Sequence, residues 1–535
     1  MIKNMVAFVV LFFSSVAIVS AQKPVRPNIL FIAIDDLKPE LGCYGNKQIK
    51  TPNIDRLAKM GTVFMSNYCQ QAVCGPTRAS LMTGKRPDYT KIWDLKTKMR
   101  DVNPDILSLP QYLITQGYST QGIGKVYDVR CVDKDIDKPS WSIPYYKIDK
   151  KYYPVEIGEP ALERYQLPAT KTLAAAYIKQ ALDSGKTKAQ ANEFAQTKIK
   201  PSVENADVPD NAYSDGANIL QAKDILAKLS KKNQPFFFAV GIAKPHLPFV
   251  APRKYWDLYN RADMPVASYQ EQSQNAVSIA YHNAGELRGY SDIPPLLSFT
   301  DQKSYGLTLP IEKQKELIHG YYAAVSYTDA NVGILLNTLD SLGLTKNTII
   351  ILWGDHGWHL GDHNLWCKHS NFEEATHSPL IIAAPGYVSS RTTALTEHVD
   401  IFPTLCDLAG VTIPANLDGK TLVPVMKNPS ANVKEFSVSQ YPRSNATAEN
   451  EKLENSDANA MGYSIRTKQY RYTVWMKNGF RSTQKFNNDL VIGMELYDYK
   501  KDPLETVNVV NEKKYTTIAK MLNAKMRAFL KSQEM

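Results

Sequence analysis

Five runs of mostly apolar residues dominate the pattern of hydrophobic and polar positions along the chain. Continuous apolar runs are typical of strands that are buried on both faces of a parallel sheet. They predict strands over residues 28–34, 118–123, 235–241, 348–352 and 379–384. Segments with helical character alternate with these runs. The pattern therefore predicts an α/β fold with a large, mostly parallel sheet sandwiched by helices.

Local signals predict the helices between these strands. Thr51 is a good N-cap and Pro52 a good first residue, so a helix is predicted to begin at residue 52. Apolar residues recur at helical spacing over 217–231, and 320–342 is a long helix candidate. The stretch 133–210 is rich in Tyr, Lys and Pro, and we interpret it as an insertion with no catalytic signal of its own.

The character of the sequence changes beyond about residue 432, where short alternating patterns replace the long apolar runs. They predict strands near 463–467, 470–475 and 495–498, a polar loop at 445–449 and a terminal helix over 516–530. This part is predicted to be a smaller C-terminal α+β subdomain on a short antiparallel sheet. The predicted organisation is a signal peptide at 1–21, a catalytic domain at 22–430 and a C-terminal subdomain at 431–535.

The first residues have the pattern of an export signal. Lys3 precedes an apolar core at 6–19, and Val19-Ser20-Ala21 offers small residues before a cut at Gln22. The alternative is a membrane anchor, but the run is short for a spanning helix and no positive flank follows it. We therefore expect an exported protein, periplasmic or extracellular, without stable membrane insertion.

The amino-acid composition limits the classes of molecule that the protein is expected to bind. Among 535 residues, 63 are Lys or Arg and 53 are Asp or Glu, which gives a net charge of +10. This balance suits an anionic substrate, while no basic, aromatic-lined pattern indicates nucleic acid. Six cysteines are too few for a disulfide scaffold in a chain of this length, and the sequence leaves their pairing open.

Polar residues follow the apolar runs at their carboxyl ends, where open parallel sheets place their ligand sites. Asp35 and Asp36 follow the first run, and Asp355 and His356 follow the fourth. Adjacent buried carboxylates favour a hard divalent ion such as calcium or magnesium, although a solvated pair that caps the next helix is the alternative. Three cationic or titratable residues follow the other runs: Lys125, Lys244 and His246.

A short predicted helix begins near Cys74. Pro76 suits its first turn and Gly84 can end it, while Arg78 lies one turn from the cysteine. Free N–H groups at a helix start favour a thiolate or a bound anion, although a cysteine merely packed at the helix start is the simpler alternative. With Lys125, Lys244 and Lys368 nearby, the pattern predicts a site for a tetrahedral oxyanion. A thiolate matches a hard cation poorly, so this chemistry requires an oxygen at position 74.

The motifs resemble those of formylglycine-dependent sulfatases in the alkaline-phosphatase superfamily, closest to the iduronate-2-sulfatase-like branch. The resemblance rests on Cys74-Gly75-Pro76-Thr77-Arg78 with Leu81-Met82-Thr83-Gly84, on Lys244-Pro245-His246-Leu247-Pro248-Phe249, and on Gly354-Asp355-His356-Gly357-Trp358. It implies an alkaline-phosphatase-like fold and hydrolysis of sulfate esters on a sulfated oligosaccharide or polysaccharide. A 2-O-sulfate on a uronic acid, as in glycosaminoglycan degradation, is the implied target.

The resemblance also implies roles for individual residues. A maturation enzyme would oxidise Cys74 to formylglycine, whose hydrate attacks sulfur, and Asp35, Asp36, Asp355 and His356 would hold one calcium ion together with the modified residue. Arg78 and Lys125 would orient the hydrate, while Lys368 and His246 contact the sulfate and His246 protonates the leaving oxygen. Lys244, Trp358 and His377 would bind substrate.

One position departs from the family pattern, because Asp128 stands where a histidine is usual. A carboxylate there cannot donate a proton at neutral pH unless its pKa is raised, and His359 and His377 are candidate substitutes. Two further readings stay open. One is a zinc-dependent phosphodiesterase or phosphatase of the same superfamily that uses His356, His359 and His363. The other is an inactive glycan-binding homologue.

Overall fold

The computed structural model describes residues 26–282, 284–294, 309–443, 460–477 and 486–533. The predicted signal peptide and the polar loop at 445–449 lie outside these ranges. In the part of the chain that is described, no helix is both long and apolar enough to cross a membrane.

Fifteen strands are present in these ranges. In chain order they are β1 Asn28–Ile34, β2 Thr62–Tyr68, β3 Ser119–Gly124, β4 Val203–Glu204, β5 Phe236–Ile242, β6 Phe249–Val250, β7 Thr348–Gly354, β8 His359–Leu360, β9 Trp366–Cys367, β10 Leu380–Ala383, β11 Ser390–Glu397, β12 Ser437–Arg443, β13 Ala460–Arg466, β14 Tyr470–Lys477 and β15 Val491–Asp498.

The same ranges contain fifteen α-helices, besides short 3-10 turns. They are α1 Pro52–Ala58, α2 Cys74–Thr83, α3 Pro87–Thr90, α4 Met99–Val102, α5 Leu109–Thr115, α6 Pro168–Asp183, α7 Lys188–Lys198, α8 Ser214–Leu229, α9 Arg253–Trp256, α10 Gly285–Arg288, α11 Ile311–Ser341, α12 Glu373–Thr376, α13 Ile401–Leu408, α14 Val423–Lys427 and α15 Thr516–Ser532.

The main sheet has seven strands in the order β11-β2-β10-β7-β1-β5-β3. Strand β10 runs antiparallel to both of its neighbours, and the other adjacent pairs are parallel. This confirms the predicted mostly parallel sheet and its five predicted strands. Strands β2 and β11 were not predicted, because both mix polar residues into their apolar pattern.

Helices cover both faces of this sheet, as predicted. The side chains of β1 alternate between two cores, with Leu30, Ile32 and Ile34 in one and Ile29, Phe31 and Ala33 in the other. The first core is completed by apolar residues of α1, α8 and α11, and the second by residues of α2, α5 and α13. Because both faces of the central strands are buried, their sequences are apolar throughout.

The C-terminal part forms a four-stranded antiparallel sheet, β12-β13-β14-β15, which confirms the second predicted element of the fold. Helix α15 packs on it through Leu522, Met526 and Leu530, which lie four residues apart on one helix face. The predicted boundary at residue 430 lies between α14 and β12.

Two buried carboxylates join the C-terminal sheet to the main domain. Glu397 accepts hydrogen bonds from both terminal nitrogens of Arg86, each at 2.8 Å, from Lys434 Nζ at 2.6 Å and from the backbone N–H of Val438 at 2.9 Å. The second, Asp88, accepts bonds from Tyr463 Oη at 2.6 Å, from Gln440 Nε2 at 2.9 Å and from Trp93 Nε1 at 2.9 Å. Asp88 and Arg86, the partner of Glu397, both lie just after α2.

Candidate active site

The carboxyl ends of β1 and β7 bring two acidic pairs together. The strands are adjacent and parallel, with Ile34 opposite Gly354, so Asp35-Asp36 and Asp355-His356 leave the sheet side by side. The backbone N–H of Asp36 donates to Asp355 Oδ1 at 2.9 Å. All four side chains are buried. We call Asp35, Asp36, Asp355 and His356 the acid cluster.

Cys74 is the first residue of α2 and points into the acid cluster. Its Sγ lies 3.5 Å from His356 Nε2 and 3.9 Å from Asp36 Oδ1. The predicted helix end is confirmed, since α2 ends at Thr83 and Gly84 follows with a left-handed φ of 63°, but the helix begins at Cys74 itself, which the sequence placed just before it. Burial, together with the charge of Asp35, raises the pKa of the Cys74 thiol well above its ordinary value. The unmodified side chain is therefore a poor nucleophile.

Arg78 fixes the orientation of the acids. Its guanidinium is buried and donates from Nε to Asp355 Oδ2 at 3.0 Å and from a terminal nitrogen to Asp35 Oδ1 at 2.9 Å. Lys125 Nζ donates to the other oxygen of Asp35. Burial alone would raise the pKa of Asp35, but the charges of Lys125 and Arg78 hold it well below its ordinary value. The carboxylate stays ionised in the folded protein.

Lys368 and His246 face the cluster from the other side. Lys368 Nζ donates to the two oxygens of Asp36 at 3.0 and 3.1 Å and lies 4.8 Å from the centre of the Trp358 ring. His246 Nδ1 donates to the carbonyl of Leu247 at 2.6 Å, which leaves Nε2 facing Glu286 Oε1 at 3.2 Å. Glu286 also pairs with Lys368 at 2.9 Å, so one carboxylate bridges two predicted sulfate contacts.

The donor set fits a hard divalent cation. Ligand atoms of Asp36, Cys74, Asp355 and His356 all lie within 4.8 Å of one another, and a second group of Asp35, Asp36, Cys74 and His246 meets the same limit. Carboxylate oxygens are the ligands that Ca²⁺ and Mg²⁺ prefer. Burial and the neighbouring Asp35 and Asp36 raise the pKa of Asp355, although the His356 and Arg78 charges oppose this. A cation between these oxygens would relieve that repulsion.

A cavity of about 700 Å³ opens above Cys74. That volume lies within the range of small-ligand sites, which is roughly 300–1,000 Å³. Of the predicted site residues it is lined by Cys74, Lys125, His246 and Lys368. Glu286 and His369 also line it, and no sequence pattern indicated either, since Glu286 lies in the four-residue helix α10 and His369 in an irregular segment, whose positions depend on tertiary packing.

Three residues predicted to bind substrate do not line this cavity. Lys244 Nζ donates to the backbone carbonyls of His246 at 2.5 Å and Pro248 at 2.7 Å. Trp358 is 1% exposed and lies beneath Lys368. His377 Nε2 donates to the carbonyl of Met65 at 2.9 Å. In this geometry Lys244 contacts the backbone of His246 and Trp358 lies against Lys368, so these two position wall residues, and direct contact with substrate stays a prediction for all three.

Asp128 lines the cavity as an ionised carboxylate. Arg130 donates to it from Nε at 2.9 Å and from a terminal nitrogen at 2.8 Å. Burial would raise the pKa of Asp128, but the hydrogen bonds and charge of Arg130, with the charge of Lys125, lower it to about 2. His359 and His377, the candidate substitutes, do not line the cavity. Only His246 and His369 do so among the histidines that the structure describes.

The histidines of the zinc reading do not meet. His359 is held by Asp362 through Nδ1 and by Ser370 Oγ at 2.8 Å through Nε2. His363 stacks on Phe372 at 4.6 Å between ring centres. Of the three histidines, His356 alone belongs to a potential metal group in the described ranges. This geometry offers no support for a second, histidine-rich metal position.

Comparison with known proteins agrees with this architecture. The family model described as Sulfatase matches residues 27–411, and the model for the N-sulphoglucosamine sulphohydrolase C-terminal region matches 361–532. The chain belongs to the sulfatase family. Within it the chain is similar to human (Homo sapiens) iduronate 2-sulfatase, with 34% identity over 91% of both chains. A sulfatase of Formosa agariphila is 29% identical over 94% of this chain and 87% of its own length.

Solved structures share the fold. One is the structure of a protein in complex with its substrate, D-glucosamine-2-N,6-O-disulfate. It has a TM-score of 0.66 at 23% identity, and the match covers 95% of this chain and 98% of the chain in that structure. The phosphonate monoester hydrolase of Agrobacterium radiobacter has a TM-score of 0.66 at 21% identity and covers 95% of this chain and 96% of its own. The predicted family, fold class and iduronate-2-sulfatase-like enzyme type are confirmed.

Proposed function

We propose that this enzyme removes sulfate esters from a sulfated carbohydrate, with a 2-O-sulfate on a uronic acid of a glycosaminoglycan or similar polysaccharide as the target. The observation that carries the proposal is the position of Cys74, whose Sγ lies 3.5 Å from His356 Nε2 and 3.9 Å from Asp36 Oδ1 at the floor of the cavity. The similarity to iduronate 2-sulfatase supports the choice of sugar.

The acid cluster would hold one calcium ion, and a maturation enzyme would convert Cys74 to formylglycine. When present, the ion supplies positive charge for the sulfate oxygens and the hydrated aldehyde supplies an oxygen nucleophile. Arg78 keeps Asp35 and Asp355 in fixed orientation, because its rigid fork spans both carboxylates. Such fixed geometry keeps the reacting groups aligned before substrate arrives.

The residues on the opposite wall bind sulfate and move a proton. Lys368 presents an ammonium group, and Lys125 presents a second one across the cavity. His246 donates from Nδ1 to the carbonyl of Leu247, which leaves Nε2 directed at the cavity. In the doubly protonated ring, Nε2 also carries a proton, faces Glu286 Oε1 at 3.2 Å, and would pass that proton to the leaving sugar oxygen, which returns His246 to the neutral form. Asp128 is too acidic for this task, so the proton role falls to His246 in this chain.

The location and the domain organisation of the enzyme are part of the same proposal. A signal peptide at 1–21 would direct export to the periplasm or outside the cell, leaving a catalytic domain at 22–430 and a C-terminal subdomain at 431–535. A net charge of +10 suits a polyanionic substrate.

Two measurements test the proposal. The chain is produced with a maturation enzyme, and the peptide that contains Cys74 is weighed by mass spectrometry. Sulfate release is then followed on 2-O-sulfated uronyl disaccharides, with C74A as the matched inactive control. Aldehyde at position 74 together with C74A-sensitive release supports the proposal. An intact thiol, or wild-type activity that persists in C74A, refutes it.

Metal analysis separates the remaining readings. About one calcium ion per chain is expected, lost with activity on chelation and restored by Ca²⁺. Two zinc ions and phosphodiester hydrolysis would instead favour the zinc-dependent reading. Tight disaccharide binding without sulfate release would favour an inactive glycan-binding protein.

A further inference from the structure

Two cationic side chains from the insertion line the active-site cavity. Arg164 and Lys200 lie in the stretch interpreted from sequence as having no catalytic signal, yet both face the cavity that contains Cys74 and Lys368. Both are partly exposed. We call Arg164 and Lys200 the cation pair.

The fold holds the cation pair in place. Arg164 follows Leu162 and Glu163, which have left-handed φ values of 51° and 63° in a tight turn. Non-glycine residues in this conformation cost free energy and are common at functional sites. Buried Tyr165 then donates from Oη to the carbonyl of Pro201 at 2.9 Å, which ties the turn to the segment that carries Lys200.

The segment after α10 holds Lys200. The backbone N–H of Lys200 donates to Ser291 Oγ at 3.1 Å, and the N–H of Ser291 donates back to the carbonyl of Lys200 at 2.8 Å. The ammonium lies 4.4 Å from the centre of the Tyr290 ring. A cation over an aromatic face is held without being neutralised.

The cation pair has no counter-ion among the residues that the structure describes. The other cations of the cavity wall are each within 4.0 Å of a carboxylate: Lys125 with Asp35, Arg130 with Asp128, and Lys368 with Asp36 and Glu286. No described carboxylate oxygen lies within that distance of Arg164 or Lys200. Burial and the charge of Arg164 lower the pKa of Lys200, and the charge of Glu286, which lies beyond that distance, opposes this only in part.

We propose that Arg164 and Lys200 form a subsite for a second anionic group of the substrate, either a carboxylate or a second sulfate ester. This rests on the proposed function, since the first anion is the sulfate that is removed. Arg164 offers a planar fork and Lys200 a point charge, a combination that suits either oxyanion. These two residues of the insertion would thus make the site selective for dianionic sugars.

Kinetics on paired substrates tests the subsite. The substrates are 4-nitrophenyl sulfate, a 2-O-sulfated unsaturated uronyl disaccharide, its carboxyl-reduced form and its form with an added 6-O-sulfate on the hexosamine. The variants are R164A, K200A and the double variant, with exposed Lys198→Ala of the same segment as control. We expect the ratio of kcat/KM on disaccharide to that on aryl sulfate to fall about tenfold in each single variant and roughly 100-fold in the double variant.

The fall in kcat/KM on the disaccharide is expected to come from a higher KM. The control variant K198A should have the kinetics of wild type. If the bound group is the carboxylate, carboxyl reduction lowers the wild-type ratio as much as the double variant does. If it is a second sulfate, only the 6-O-sulfated substrate responds to the variants. Ratios within about threefold of wild type on every disaccharide overturn the subsite.

Binding separates this proposal from the proposed function. Calorimetry with the disaccharides on C74A, alone and combined with R164Q and K200Q, reports the subsite without turnover, and melting curves confirm that each variant is folded. Affinity that falls roughly 100-fold with the glutamines supports the subsite even if wild type releases no sulfate. Equal affinity in all variants overturns it even if the enzyme is an active sulfatase.

Discussion

The acid cluster lies against Cys74 at the floor of the cavity that the cation pair lines, and the two groups differ in how their charges are satisfied. Asp35, Asp36 and Asp355 are buried and lie in a network with Arg78, Lys125 and Lys368, built on adjacent strand ends. The cation pair is partly exposed, comes from irregular segments and has no described counter-ion. The difference indicates a division of labour, in which the strand ends fix the chemistry and the insertion selects the substrate.

The largest expected effect follows from R78A. Removing the guanidinium leaves the carboxylates of Asp35 and Asp355 buried without their partner, which costs about 3–5 kcal/mol in the free energy of unfolding. Aryl sulfate turnover should fall by about 10³-fold or more. Urea denaturation and turnover measure the two effects, with exposed Arg253→Ala as control. R78K keeps the charge without the fork, so intermediate values are expected, and wild-type stability in R78A would contradict the network.

K368A tests the wall that faces the acid cluster. Loss of this ammonium should reduce kcat/KM for any sulfate ester by about 10²–10³-fold, since it removes a charge aimed at the sulfate. Steady-state kinetics on aryl sulfate and on a disaccharide measure it. Exposed Lys346→Ala should have no effect. A loss confined to the disaccharide would mean that Lys368 acts in sugar selection, like the cation pair.

The variant E397Q tests a buried charge outside the active site, the Glu397 carboxylate, which is paired with Arg86 and Lys434. Burial would raise the pKa of Glu397, but Arg86 and Lys434 hold it well below its ordinary value of 4.5. The unfolded chain therefore binds the proton more readily, so this stabilisation is present above about pH 4.5 and is lost as the pH falls further. At about pH 7 we expect the free energy of unfolding of E397Q to be about 2 kcal/mol lower than that of wild type.

Denaturation of wild type and E397Q across this pH range checks the sign. The difference between them should shrink as the solution is acidified below the ordinary value of Glu397. A difference that grows on acidification would show that the carboxylate is not stabilised by its partners.

The smallest effect on the free energy of unfolding is expected from K200M, which should raise it, whereas R78A and E397Q should lower it. Because burial and Arg164 lower the pKa of Lys200, the unfolded chain holds this proton more tightly than the folded protein. Removing the charge should therefore raise the free energy of unfolding by about 0.5 kcal/mol near neutral pH. The gain should fade as the pH rises towards 10.5, the ordinary value for lysine. Destabilisation in melting curves would mean that the contact with the Tyr290 ring and the attraction of Glu286 outweigh the repulsion from Arg164.

The sequence predicted the centre of the fold better than its margins. Strands β1, β5 and β7 are buried on both faces, so their apolar runs stand out. Strand β11 at the sheet edge has the pattern Ser-Arg-Thr-Thr-Ala-Leu-Thr-Glu, and half-exposed strands of this kind resemble loops. For β2, the polar residues Thr62, Ser66 and Asn67 hid a strand that lies inside the sheet.

The same contrast holds for the site. Residues at strand ends were predictable, because parallel strands bring their carboxyl ends to one edge. Glu286 comes from the single-turn helix α10, and His369 and the cation pair come from segments without regular structure, so their positions depend on contacts such as Tyr165 with Pro201. No local pattern encodes contacts between residues so far apart in the chain.

The joint between the two parts of the chain bears on the order of synthesis. Asp88 and Glu397 obtain Gln440, Tyr463, Lys434 and Val438 as partners only from residues beyond 430. Before those residues are added, the larger domain can supply only Arg86 to Glu397 and Trp93 to Asp88, so both acids are satisfied only in part. The segment just after α2, which carries Arg86 and Asp88, therefore obtains its full set of contacts only after the C-terminal sheet has been made.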